Sequence, residues 1–191
     1  MADMIAPWFE DYRDVFDGTP DFRRFIELES GAHAVLTWQP GVIPGLLQTH
    51  AYASTIMAIY LPGISKTEID RCVELRMARK RHLETHHLDF IIGESALTDD
   101  RFSAEVMSEQ RAALASTLSR GRPNVTIRIA PARVGNPEKS FVILRFPNRS
   151  DVLYLERGTQ SIFKEDASAV EEALTAFQEL VSVAFNLDNN G

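Results

Sequence analysis

At 191 residues, with 45% hydrophobic and 25% charged content, the chain has the make-up of a globular protein of one domain with a real core. Its formal charge of −7, from 20 Lys and Arg against 27 Asp and Glu, argues against a broad nucleic-acid surface, because phosphate neutralisation dominates that affinity. No apolar run approaches the ~20 residues that cross a bilayer, and the single cysteine, Cys72, leaves no internal disulfide or multi-cysteine zinc site. The start, MADMIAPWFEDYRDVF, carries acids and aromatics where a signal peptide needs a basic start and an apolar core, so the expected location is cytoplasmic.

In chain order, Phe22, Phe25/Ile26, Glu29, His33 and Leu36 recur at helical spacing, with Thr19 or Asp21 as N-cap. Glu29 and His33 then fall on the apolar face, where a carboxylate either has a cationic partner or reaches water at the edge of the stripe. Next come two Pro-containing turns, Pro40-Gly41 and Pro44-Gly45, before a helix whose apolar face is Ala53, Ile56, Met57 and Tyr60. Gln48, Thr49, His50 and Tyr52 crowd polar atoms into its first turn, where they either cap the helix or hold an anion at the positive dipole end. Ser65 and Glu68 form a capping box that opens a long helix to about His86, with Ile69, Cys72, Val73, Met77 and Leu83 facing inward. Arg76 lies near the middle of that arc, and Arg79 and Lys80 lie towards its two sides. A guanidinium aimed inward must meet acids, carbonyls or a bound anion, so Arg76 is either a structural salt bridge or a ligand anchor. The basic run Arg76 to Arg81 lacks the interleaved aromatics of a single-strand binder. His82 and His86 stand four apart with no third ligand at fixed spacing, so no metal site is expected.

Leu88 to Ile92 reads as a strand covered on both faces, followed by Gly93-Glu94-Ser95. Ser103 caps a helix bearing Val106, Gln110, Ala113, Leu114 and Thr117, which closes at Gly121, and Val125 to Ile129 alternates as a strand. Strand, helix and strand at this length predict two parallel neighbours, with Glu94 and Pro131 at the rim of a site beyond their carboxyl ends. Ala132 to Lys139 is a polar loop and the expected lid. Phe141 to Phe146 and Val152 to Glu156 form a hairpin in which Tyr154 and Glu156 share a face, and Ser161 to Lys164 adds an edge strand. Ser168 with Glu171 suggests a further capping box, and Val170, Leu174, Phe177, Val181, Ala184 and Phe185 an amphipathic helix over the sheet. The tail from Asp188 should fray.

These readings predict a single α+β domain over 1–191 with an α/β-like core. A mainly helical layer (1–87) precedes a mixed sheet with covering helices (88–187); the sheet holds a parallel βαβ pair and an antiparallel hairpin. No internal repeat, Gly-rich phosphate loop, nucleophile elbow or HExxH motif is present.

The ordered set PGLLQTHAYA, Arg76 and Arg79 on one helix, GESAL, VMSEQ, RPNVTIRIAP, FVILRFP and VLYLE resembles one family domain. This is the domain that follows an XRE-type helix-turn-helix in antitoxin-like actinobacterial transcriptional regulators, and the resemblance runs from about Phe22 to the final helix. The pattern carries over at Pro44, Gly45, Leu47, Gln48, Thr49, Tyr52, Arg76, Arg79, Glu94, Gln110, Pro131, Tyr154 and Glu156. It departs at His50, at Lys80 and at Thr98-Asp99-Asp100. The resemblance implies a ligand-sensing or protein-interaction module without its own DNA-binding part, taking a small molecule or a partner protein, with a homodimer left open. Its expected binding residues are Gln48, Thr49, Tyr52, Arg76, Arg79 and Tyr154. The alternative is a cofactor-independent cyclase or isomerase that uses Glu94 or Glu156 as general acid/base. No cofactor, membrane or direct nucleic-acid contact is expected under either reading.

Overall fold

The computed structural model describes residues 7–17, 19–134, 140–157 and 160–187. A 3-10 turn, Trp8–Tyr12, leads into α1 (Arg13–Phe16), α2 (Pro20–Gly31), β1 (Ala34–Gln39), α3 (His50–Tyr60), α4 (Lys66–Ala78) and α5 (His82–Thr85). Then follow β2 (His87–Gly93), α6 (Ala104–Ser119), β3 (Val125–Ala130), β4 (Phe141–Arg145), β5 (Val152–Arg157), β6 (Gln160–Lys164), α7 (Ala167–Val183) and β7 (Phe185–Asn186). The strands form one mixed sheet in the order β6-β5-β4-β1-β2-β3-β7. β1, β2 and β3 run parallel, and every other neighbouring pair is antiparallel. The expected β2–α6–β3 crossover and β4–β5 hairpin are both present, so the α+β class holds.

Alternation along the strands divides the core between two layers. Val35, Phe90, Ile92, Ile127, Ile129, Leu144 and Tyr154 face the N-terminal helices and α6. Trp38, Ile91, Ala130, Ile143 and Leu153 face α7 through Phe177, Val170 and Ala173. Among the described residues no helix is long and apolar enough to cross a membrane.

Three sequence expectations need correction. The first helix does not continue to Leu36: α2 stops at Gly31, and Ala34–Gln39 is the central strand. Both faces of that strand are covered, so its apolar residues are nearly continuous, and the spacing of His33 and Leu36 matches a helical repeat by coincidence. His33 is exposed instead of lying on the apolar face. At the other end, α7 stops at Val183, and Phe185 pairs with Ile129 as an exposed edge residue. The start of α7 is capped by Asp166, whose carboxylate accepts from Ala169 N at 2.9 Å, and not by Ser168. The Ser65/Glu68 capping box is formed as expected, and the helical run it opens passes through a 3-10 turn at Arg79–Arg81 into α5. Of the polar loop expected as a lid, Ala132–Val134 forms a 3-10 turn, while 135–139 lie outside the described residues, as does the tail from 188.

Candidate functional site

The turn between β1 and α3 is tied down by its own polar groups. Pro44 leads into a short 3-10 turn, Gly45–Leu47, and the Gln48 side-chain amide donates back to Ile43 O at 2.7 Å. Thr49 is the N-cap of α3, with its Oγ1 accepting from Tyr52 N at 3.2 Å. Its own N–H donates to Gln110 Oε1 at 2.7 Å, and Gln110 Nε2 donates to Leu47 O at 2.8 Å, so one buried amide from α6 closes both sides of the turn. Tyr52 is fully buried; its hydroxyl accepts from Ile43 N at 3.1 Å and its ring stacks on Phe102 at 4.1 Å. Burial pushes its phenol up to about 12. His50 points to solvent. Of the first-turn donors, Tyr52 N is engaged by the Thr49 cap.

The same turn is locked to the end of β2. A Cβ on Gly93 would lie 2.1 Å from Pro40 O, so only glycine admits this approach, and Ser95 Oγ donates to the same carbonyl at 2.9 Å. The locked turn places Gln48 beside the helical run that carries Arg76 and Arg79.

Arg79 is buried and meets Glu29 through two bonds, Nε to Oε2 at 2.8 Å and Nη2 to Oε1 at 2.7 Å, the bidentate geometry of a strong pair. Glu29 thereby gains the cation its inward position requires. His86 Nε2 lies 3.1 Å from Glu29 O; a carbonyl only accepts, so Nε2 carries the proton and Nδ1 receives Thr85 Oγ1 at 2.7 Å. His82 is buried, its Nε2 has no hydrogen-bond partner, and desolvation lowers its pKa to about 4 against the attraction of Glu29. It is neutral at physiological pH. Among the described residues no cluster of three or more His, Cys, Asp and Glu is placed to hold a metal.

Arg76 is in a different position. Its Nη1 donates to Gln48 Oε1 at 2.6 Å, its Nε is buried with no hydrogen-bond partner, and no carboxylate among the described residues lies in ion-pair range. Gly45 packs against both guanidiniums: a Cβ there would meet Arg79 Nη1 at 3.3 Å and Arg76 Nε at 3.9 Å. Burial, and then the neighbouring Arg79 charge, pull the Arg76 pKa down to about 10, with Glu156 pulling it up. It remains a cation at neutral pH.

Glu156 completes the group. Tyr154 stands opposite Val142, and Val142 opposite Thr37 of β1. Glu156 is two residues farther along the same face, towards the carboxyl ends of the parallel strands. The residue is solvent-exposed, yet burial raises its carboxyl pKa while Arg76 lowers it. Tyr154 lies on the Phe25 ring at 4.6 Å, with its hydroxyl 3.2 Å from Ser161 Oγ. Glu94 is exposed at the rim, where it accepts from Ala132 N at 3.2 Å.

The structure therefore brings Gln48, Arg76 and Glu156 into one electrostatic neighbourhood, and it engages Thr49, Tyr52 and Arg79 within the fold. Sequence reasoning did not assign the bridging role of Gln110; a fully buried glutamine on an otherwise apolar helical face was the available signal. No curated protein and no solved structure matches the chain. A family model described as a domain of unknown function (DUF5753) matches residues 22–189, which takes in every group of the site. The chain belongs to the DUF5753 family.

Proposed function

We propose that this chain is a ligand-sensing regulatory module that binds a small anionic molecule through Arg76. The observation that carries the reading is the largely enclosed Arg76 guanidinium, which has a neutral amide as hydrogen-bond partner, an unpartnered Nε and no carboxylate in ion-pair range among the described residues. An arginine does not shed its charge, and holding a desolvated cation without a counter-ion costs several kcal/mol. A bound anion supplies the missing partner. Gln48 orients the guanidinium, and the Glu156 carboxylate acts on it electrostatically, pulling its pKa up. The resemblance to the effector half of helix-turn-helix regulators, together with the absence of a catalytic signature from the sequence, supports sensing over turnover.

The test is calorimetric titration of wild type and Arg76→Met with acetate and inorganic phosphate. Saturable binding of either anion in the wild type that disappears in the variant supports the proposal; equal heats in both proteins overturn it. A second reading, a cofactor-independent cyclase or isomerase, draws on the raised carboxyl pKa of Glu156, which favours a proton donor closer to neutral pH. Conversion of a co-purifying small molecule that stops in Glu156→Gln while anion binding persists would favour it.

A further inference from the structure

Away from Arg76, and independent of it, the fold leaves one more buried polar group unanswered. His82 is 3% exposed, and its Nε2 has no hydrogen-bond partner among the described residues. Glu29 Oε2 stands 3.7 Å from that nitrogen, beyond hydrogen-bond length, and both Glu29 oxygens already take bonds from Arg79. The His86 ring packs on His82 at 4.3 Å between centroids and is itself tied to Thr85 Oγ1 and Glu29 O. Arg79 and Arg81, on the same helical run, both disfavour a further positive charge here. A proton on His82 would thus add a cation to a dry place whose carboxylate is spent, whereas the neutral ring is tolerated.

Trp8 lies edge-on against His82, 5.8 Å between centroids, and is itself half-buried in the 3-10 turn that opens the described chain. Its hold is light: the indole N–H donates to Ser30 Oγ at 3.2 Å, and the Arg81 guanidinium lies 4.5 Å from its ring. From Phe9 onward the same segment is fastened firmly. Phe9 and Phe16 are buried, Glu10 pairs with Arg13 and Arg23, and Arg71 donates to both Asp14 oxygens at 2.8 and 2.7 Å and to Asp11 O at 2.9 Å. We infer that Trp8 is an acid-released cover: when His82 takes up a proton, the indole leaves its seat, the charged imidazole meets water, and the chain from Phe9 onward stays docked. Opening sets the imidazolium beside Arg81 at the surface, a cationic spot that exists only in acid. The covered ring has its pKa lowered from 6.5 to about 4, chiefly by desolvation, and an uncovered one returns towards 6.5. The seat is therefore intact above pH 6.5 and weakens as pH falls through that window, by about 30-fold at pH 5.

Acrylamide quenching of tryptophan emission in the full chain, followed from pH 7.5 to pH 4.5, reads the cover directly. Trp8 and Trp38 are the two tryptophans, Trp38 is buried against Phe177 of α7, and Trp8→Phe supplies the Trp38 background. Trp8 should become several-fold more quenchable in one transition inside that window, while Trp38 stays shielded and the far-UV circular dichroism is unchanged. His82→Gln, which takes up no proton in this range, should keep Trp8 shielded down to pH 4.5. Wild type alone decides if that variant does not fold, because the His82 ring proton resonances must titrate with the midpoint of the Trp8 transition. The inference is overturned if Trp8 stays shielded throughout, if it is exposed together with Trp38, if its midpoint departs from that of His82, or if folded His82→Gln opens as wild type does.

Discussion

Arg76 and Arg79 are the same residue type, one helical turn apart on one continuous helical run, and the fold treats them in opposite ways. Arg79 faces α2 and finds a carboxylate in bidentate geometry, while Arg76 faces the turn after β1 and finds an amide. Helix position brought both inward; the element across from each decided its fate. A buried charge neutralised from within is architecture. One left to a neutral amide is the observation on which the proposed anion binding rests, and that contrast supports the proposal better than burial alone.

The contrast can be broken most directly by removing each arginine. Arg79→Met strands Glu29 in the interior and should cost about 3–5 kcal/mol, read from urea unfolding, with most of that recovered in the double variant Glu29→Leu, Arg79→Met. Arg76→Met strands only the Gln48 amide and should cost about 1 kcal/mol, while losing anion binding. Equal losses for the two single variants would erase the distinction.

A loss of roughly 3 kcal/mol attaches to His82, whose folded pKa is depressed from 6.5 to about 4. The unfolded chain takes up this proton below pH 6.5, whereas the folded protein resists until about pH 4. Stability is therefore lost as pH falls through that window. In His82→Gln the difference between unfolding free energies at pH 7 and pH 4.5 should shrink, and an unchanged difference would show that another group titrates there.

Gly93→Ala drives a methyl group into Pro40 O and should cost about 1–3 kcal/mol. Because the turn holding Gln48 is anchored there, acetate affinity should fall with stability; intact affinity would detach the site from the turn. The smallest effect belongs to Thr49→Ala, about 1 kcal/mol for a lost cap. The Arg79 pair lies apart from that cap, so the cost of Arg79→Met should be the same in either background.

Much of the frame was legible because it is local. The Ser65/Glu68 capping box, the β2–α6–β3 alternation and the β4–β5 hairpin are written in short-range spacing, and Glu29 on an apolar stripe already posed the choice between a cationic partner and water at the stripe's edge. What escaped was set at long range. β1 was hidden because both its faces are covered, so neither repeat stood out, and β7 exists only through its pairing with β3. The choice of Arg79 over Arg76 for Glu29 depends on how α2 crosses the helical run, which no periodicity encodes. The Gln110 bridge spans 61 positions in sequence, beyond any local rule.

The central place of β1 has a consequence for how the protein is made. One side of the strand pairs with β2, but Trp38 finds its other neighbour in Phe141, far later in the chain. Until β4 emerges from the ribosome, the growing chain presents an apolar strand with one open edge, a template for pairing with other chains. The β4–β6 meander thus covers the open edge of β1, and a nascent chain stalled before it should depend on chaperones for as long as the stall lasts.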